Sequence, residues 1–205
     1  LIAQEYTYPD ATLANGLVLS NMLLNRIRTR TFKGTGQTSS LAYHYSGNTI
    51  WPVSVSRSFG EGPQTTLFTL DRYDERGNLL QSTDPNGIST TYLWGYGGTR
   101  LVAEIRNAAY QQVANVLGQA RIDAMTDRIT LSESDIAALE GLRSAVALGD
   151  TQITTYTHHP IFGVTSRTDP RGVRTSYLYD ETGRIKEIAD DAGNPVVAYD
   201  YKYRK

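Results

Sequence analysis

Tyr73-Asp74-Glu75-Arg76-Gly77-Asn78-Leu79 and Tyr179-Asp180-Glu181-Thr182-Gly183-Arg184-Ile185 share one pattern, Tyr-Asp-x-x-Gly-polar-aliphatic. Eleven residues beyond each tyrosine-aspartate's tyrosine stands a further aspartate, Asp84 and Asp190, and three beyond that a glycine, Gly87 and Gly193. Asp169-Pro170-Arg171-Gly172-Val173 repeats the second half, Asp84-Pro85-Asn86-Gly87-Ile88. From Asp169 to Asp190, from Gly172 to Gly193 and from Tyr156 to Tyr177 the interval is 21 residues, and so is that from Tyr73-Asp74 to Trp94-Gly95. A fixed period of this length marks the recurrence of one supersecondary unit.

The residue types say what the unit is. Asp-x-x-Gly and Asp-Pro-x-Gly are turn sequences: aspartate caps the turn, proline presets φ, and glycine accepts positive φ. Gly87 and Gly172 are therefore expected at φ > 0. Between the turns lie short segments with aromatic ends, Ile88–Trp94 and Val173–Tyr179. Seven extended residues span ~23 Å. Two strands and two turns fill one period, so the unit reads as a β-hairpin and successive units as a growing antiparallel sheet. The 14 tyrosines, 4 phenylalanines and 18 glycines agree with many short, half-exposed strands joined by tight turns.

Composition excludes several classes of function. With 20 basic and 21 acidic residues the formal charge is −1, and no run of like charge offers a footprint for nucleic acid or an anionic membrane. The absence of cysteine removes disulfides, thiolate metal sites and cysteine nucleophiles. No apolar stretch reaches the ~18 residues of a membrane span, and no signal peptide precedes the first strand. The chain opens at Leu1 without a methionine, as expected of a piece of a longer polypeptide.

The repeat lapses between residues 106 and 150. Tyr110, Val113, Ala114 and Leu117 follow helical spacing, with Asn107 as a possible cap and Gly118 as a break or kink. Ser132-Glu133-Ser134-Asp135 has the spacing of a capping box, and Ile136, Leu139, the stem of Arg143 and Val146 then share one helical face, closed by Gly149. The main helices are expected at 107–126 and 133–148, laid on the sheet as a pair. Gly16–Leu24 fits either a short helix or a strand, and a short helix with a strand following from Arg26 to Phe32 is the favoured reading. The organisation is thus a degenerate β region at 1–64, hairpins at 65–105, a helical insertion at 106–150 and hairpins at 151–205, in one continuous module.

His158 and His159 are adjacent on a strand and point to opposite faces, which does not suit one metal ion. Asp84, Asp169, Asp180, Asp190 and Asp191 recur at repeat positions, which fits turn-capping rather than a unique carboxylate pair. No Gly-x-Ser-x-Gly or Gly-x-x-x-x-Gly-Lys-Ser/Thr appears. No cofactor, metal or catalytic group is indicated. The exposed-aromatic alternative is a sugar-stacking platform formed by Trp51, Trp94 and Tyr96, against cross-strand packing of the same rings.

The Tyr-Asp-x-x-Gly and Asp-Pro-x-Gly motifs resemble the YD repeats of the RHS (rearrangement hotspot) family, at 65–105 and 151–203. Tyr43-His44-Tyr45-Ser46-Gly47-Asn48 and Arg57-Ser58-Phe59-Gly60-Glu61-Gly62 resemble degenerate copies. The helical interruption is similar to that of YD-repeat proteins of Bacteroidetes cell surfaces. The resemblance implies a mainly β protein, a long sheet of repeat hairpins that spirals into a shell, at the cell surface or outside the cell. In some relatives the shell encloses a toxic C-terminal domain; this sequence shows neither a self-cleavage segment nor a toxin domain, so that role is not carried over. The expected role is a non-enzymatic structural module. Its repeat positions are Tyr73, Asp74, Gly77, Asp84, Gly87, Asp169, Gly172, Tyr179, Asp180, Gly183, Asp190 and Gly193. Residues 196–203 read as an uncapped aromatic edge strand, shielded by Lys202, Arg204 and Lys205 or paired with neighbouring repeats.

Overall fold

The structure is a computed structural model that describes residues 1–10 and 12–202. The chain divides into two compact units, one up to Ile88 and one from Ser89.

The first unit is a meander of six strands in chain order. β1 (Ile2–Thr7) is followed by α1 (Asn15–Leu19), and then by β2 (Arg28–Lys33), β3 (Gly36–His44), β4 (Ser54–Phe59), β5 (Thr65–Tyr73) and β6 (Leu79–Thr83). Each strand pairs antiparallel with the next. Register assigns different residue types to the two faces. Ser40 faces Ser58 and Ala42 faces Ser56, and all four are buried. Gln64 bridges this hydroxyl strip, accepting from Ser56 Oγ at 2.9 Å and donating to Ser40 Oγ at 3.0 Å. The opposite face carries the larger Tyr43, Val55 and Phe68 in cross-strand register. The α1 helix buries Leu17 completely. It sits so close that a β-carbon on Gly16 would stand 2.2 Å from the Thr49 carbonyl oxygen. The expected short helix and following strand are thus found, with the strand displaced to Arg28–Lys33.

The second unit has seven strands and a helical layer. β7 (Ser89–Gly95) and β8 (Arg100–Arg106) precede α2 (Tyr110–Leu117), α3 (Gln119–Asp127) and α4 (Glu133–Gly141). Two 3-10 turns, Leu142–Ser144 and Val146–Leu148, lead to β9 (Gln152–His159), β10 (Gly163–Thr168), β11 (Arg174–Tyr179), β12 (Ile185–Ala189) and β13 (Pro195–Ala198). Pairing is again antiparallel between successive strands. The core lies where the helices meet the sheet: Leu93, Ala103, Ile105 and Ile153 below, Val113, Ile122, Met125, Leu139 and Leu142 above, all buried. Each valine, leucine, isoleucine or methionine among them contributes about 1.5–3 kcal/mol by leaving water. The helices stop where that apolar strip stops: α2 and α3 pack on β7, and α4 on β9. Further out, β10 presents buried Ser166 and Thr168 instead.

The helical expectations need four corrections. Three helices stand where a pair was expected, because Gly118 takes φ 83° and ends α2. Asn107 is no cap. It lies at φ 66° and donates its side-chain amide to the Asp150 carbonyl at 3.1 Å. The helix begins at Tyr110, and Gln112 reaches back to the Ala109 N–H at 2.8 Å. The second stretch is α-helical only to Gly141, and Val146, expected on its buried face, is 97% exposed. The capping box at Ser132 is formed as expected, with Asp135 N–H donating to Ser132 Oγ at 3.2 Å and Ser132 N–H to Asp135 Oδ2 at 3.0 Å. Among the described residues β13 pairs with β12 alone, so it is an edge strand, though it ends at Ala198 rather than 203. Tyr203, Arg204 and Lys205, which belonged to that expectation, lie outside the described residues.

Candidate functional site: the repeat turns and their aromatic locks

The five repeat turns are built from one set of bonds. Each aspartate Oδ1 accepts two backbone N–H groups, from the residues two and four further on. For Asp74 these are Arg76 (2.9 Å) and Asn78 (2.8 Å). For Asp84 they are Asn86 (2.9 Å) and Ile88 (3.0 Å), and for Asp169, Arg171 (2.9 Å) and Val173 (3.0 Å). Asp180 takes Thr182 (2.9 Å) and Arg184 (3.0 Å), and Asp190 takes Ala192 (3.0 Å) and Asn194 (2.8 Å). In every turn the glycine N–H closes onto the aspartate carbonyl, and Gly77, Gly87, Gly172, Gly183 and Gly193 have φ between 80° and 85°. The expectation of positive φ at Gly87 and Gly172 is met. In each turn the carboxylate serves as an acceptor of backbone N–H groups. The Arg184 backbone N–H first, then the Thr182 hydroxyl, hold Asp180 well below the usual carboxylate range, and the Asn194 backbone N–H does the same for Asp190.

The two Tyr-Asp turns carry something more. Trp51 lies stacked on Tyr73, ring centroids 5.9 Å apart, and roofs Gly77, where a β-carbon would come within 2.3 Å of its ring. In the second unit Phe162 packs on Tyr179 at 5.8 Å and roofs Gly183, leaving 2.8 Å for a β-carbon. Each tyrosine hydroxyl then donates to a carbonyl just beyond its aromatic partner: Tyr73 to Pro52 at 2.8 Å, Tyr179 to Val164 at 2.7 Å. Tyrosine, turn glycine and an upstream aromatic therefore form a lock that ties one hairpin to the one before it. Burial, with Tyr45 beside it, pushes the Tyr73 hydroxyl up to about 12, so it remains a donor at neutral pH. Tyr179→Phe, which keeps the ring and deletes this bond, is expected to cost about 1 kcal/mol in a urea titration, without change in the slope.

Of the three aromatic residues considered for sugar stacking, two use their rings internally. The Trp51 face is taken by Tyr73 and Gly77, and Tyr96 is 9% exposed with its hydroxyl accepting the His158 N–H at 2.8 Å. Trp94 is half-buried in β7, and its carbonyl accepts the Thr126 hydroxyl at 3.0 Å. Trp51 belongs to the first unit, Trp94 and Tyr96 to the second.

His159 Nδ1 accepts the N–H groups of Ile161 and Phe162 at 3.2 and 3.3 Å, and its ring stacks on Phe162. His44 Nε2 lies 2.6 Å from Ser56 Oγ, whose hydroxyl donates to Gln64 Oε1 at 2.9 Å. Among the described residues no group of three or more His, Asp or Glu could hold a metal ion. A network that the sequence reading missed centres on Arg143. Its guanidinium donates to the carbonyls of Ile153, Thr168 and Asp169, to Thr155 Oγ1 and to Glu140. Burial would raise the Glu140 carboxyl, but the Thr155 hydroxyl and Arg143 together hold it below its ordinary value. The Phe162 lock was missed too, although Trp51-Pro52-Val53 and Phe162-Gly163-Val164 share an aromatic-x-Val signature ahead of each Tyr-Asp turn.

The sequence pattern of the family described as RHS Repeat matches residues 73–111 and 163–195, the two stretches that hold both Tyr-Asp turns. These two stretches, about a third of the chain, carry the RHS repeat pattern. No protein with a curated description matches it. Among solved structures it is similar to the crystal structure of TcdB2-TccC3 without its hypervariable C-terminal region, at 13% sequence identity and a TM-score of 0.40. That match covers 94% of this chain and 11% of the other, so the chain spans about a tenth of that structure's length. No helix among the described residues is long and apolar enough to cross a membrane.

Proposed function

We propose that this RHS/YD-repeat chain is a non-enzymatic structural and interaction module of a larger secreted or cell-surface protein, whose work is to carry a repeat sheet and join it to what comes next. The observation that carries this reading is the fivefold recurrence of one turn geometry. The aspartates, glycines and tyrosines that look chemically suggestive in sequence are each committed to backbone bonds. Five copies of one arrangement serve architecture; a catalytic centre needs one arrangement that differs from the rest. No turnover of glycosides, esters or peptides is expected.

The joining surface is β13. Val196 and Val197 are 66% and 38% exposed on a strand with one hydrogen-bonded neighbour among the described residues. A bare strand edge accepts a further strand unless charge or proline blocks it. The module's partners are accordingly neighbouring repeats or domains that add a strand there. Light scattering over a concentration series provides the test. The chain is expected to associate as concentration rises, and Val196→Lys, which puts a charge on the edge, is expected to hold it monomeric. A chain that stays monomeric at every concentration with Val196 intact would sink the proposal.

A further inference from the structure

The loop that joins β7 to β8 is built against the handedness of its residues. Tyr96, Gly97 and Gly98 follow one another at φ 56°, 70° and 73°. Glycine takes this conformation freely, whereas a bulky L-residue is strained in it. Two contacts hold Tyr96 there. Its hydroxyl accepts the His158 backbone N–H at 2.8 Å, and its ring meets the His158 imidazole edge-on with centroids 5.3 Å apart. Beside it the Gly97 N–H donates to the Arg128 carbonyl at 2.8 Å. The loop is thereby fastened to β9 through a histidine.

That histidine is poorly placed to accept a proton. His158 Nδ1 is buried and has no hydrogen-bond partner among the described residues. In the neutral ring it is an unused acceptor; in the imidazolium it becomes a buried N–H carrying charge with nothing to receive it. The groups around the ring do not help. Arg100 of β8 adds a positive charge, the loop contributes Tyr96, and the β10 residue opposite is Val164. Burial first, then Arg100, push the imidazole below the ordinary histidine value.

We propose that the Tyr96–His158 contact is an acid-released latch, in which proton uptake by His158 frees the strained Tyr96–Gly98 loop from β9 while the repeat turns stay closed. The released histidine titrates near its free value of about 6.5, and the latched one lower. The latch's contribution is therefore complete above the free value and is lost as pH falls through the latched value. The turns respond in a different range. Asp180 and Asp190 are held ionised below the ordinary carboxylate value, so they keep their acceptors through the pH range in which His158 protonates.

Amide hydrogen exchange on the whole chain, expressed as protection factors at pH about 7.5 and about 5, reads this directly. Protection of the His158 N–H is expected to fall by about tenfold or more on acidification, with the Gly172 and Gly183 amides unchanged. His158→Phe keeps a ring against Tyr96 and removes the titrating nitrogen, so the acid-dependent loss should vanish. Tyr96→Gly relieves the strain and deletes the bond, so protection at position 158 should be low at both pH values. Equal losses in the native chain and His158→Phe, or no loss in the native chain, overturn the latch. If His158→Phe does not fold, NMR titration of the native His158 decides: an imidazole that titrates at or above about 6.5 overturns it as well.

Discussion

Arg143→Met is expected to destabilise the second unit by about 3 kcal/mol, read as a lowered urea midpoint with the slope unchanged. Methionine keeps much of the aliphatic stem, so the loss isolates the guanidinium. Its side chain is 17% exposed and ties two strand carbonyls, the Asp169 turn carbonyl, Thr155 and Glu140 to the end of α4. Deleting it leaves the Ile153, Thr168 and Asp169 carbonyls short of a donor and Glu140 without its cation. Breaking one partner out of a buried polar network costs far more than the net worth of the intact network. Arg30→Met, which removes an exposed ion pair with Glu5, should cost under about 1 kcal/mol and serves as the control. The same network predicts an acid effect. Glu140 is held below its ordinary value, so its contribution is present above the unfolded carboxylate value of about 4.3 and is lost as pH falls below it. If Arg143→Met proves no worse than Arg30→Met, α4 is not anchored through this side chain.

The contrast between Arg143 and the repeat turns shows what a sequence of this kind makes legible. The turns were readable because their stabilising bonds are local. Asp180 reaches N–H groups two and four residues away, so the residues that need one another are written side by side. Period then gave the hairpins, and the hairpins the antiparallel order. Arg143 is written among helical residues and could be placed only by its stem, because its acceptors other than Glu140 lie 10 to 26 residues away, on β9, on β10 and in the turn after β10. The aromatic locks fall in between. Trp51 was visible but ambiguous, since nothing adjacent to it says whether its face meets a sugar or Gly77. The helical stretch failed for a related reason. Spacing alone extends a face to Val146, but with Gly141 exposed at the end of α4 the chain tightens into 3-10 turns and Val146 points to solvent.

Gly77→Ala and Gly87→Ala should separate by about 2 kcal/mol or more, although both replace a repeat glycine at nearly the same φ. The backbone cost is common to both. Gly77 has φ 85° and Gly87 φ 82°, and placing alanine there costs about 1 kcal/mol. Space is what differs. At Gly87, Gly172 and Gly193 a β-carbon meets nothing within 4 Å, whereas at Gly77 it would lie 2.3 Å from Trp51 Cη2 and 2.6 Å from Cζ3. An indole stacked on Tyr73 cannot yield like the tip of a flexible chain, so the ring or the turn must move, and the Tyr73–Pro52 bond is drawn in with it. Gly183→Ala should fall between the two, since its nearest atom is Phe162 Cδ1 at 2.8 Å. The expected order of destabilisation is Gly77, then Gly183, then Gly87 and Gly172 together, measured by chemical denaturation. A double-mutant cycle tests the cause. Trp51→Ala removes the roof, so Gly77→Ala on that background should cost no more than Gly87→Ala does on the native one, a coupling of about 2 kcal/mol. Additive behaviour would mean that the glycine is required by its dihedral angle alone, and that the aromatic roof is not what joins one hairpin to the one before it.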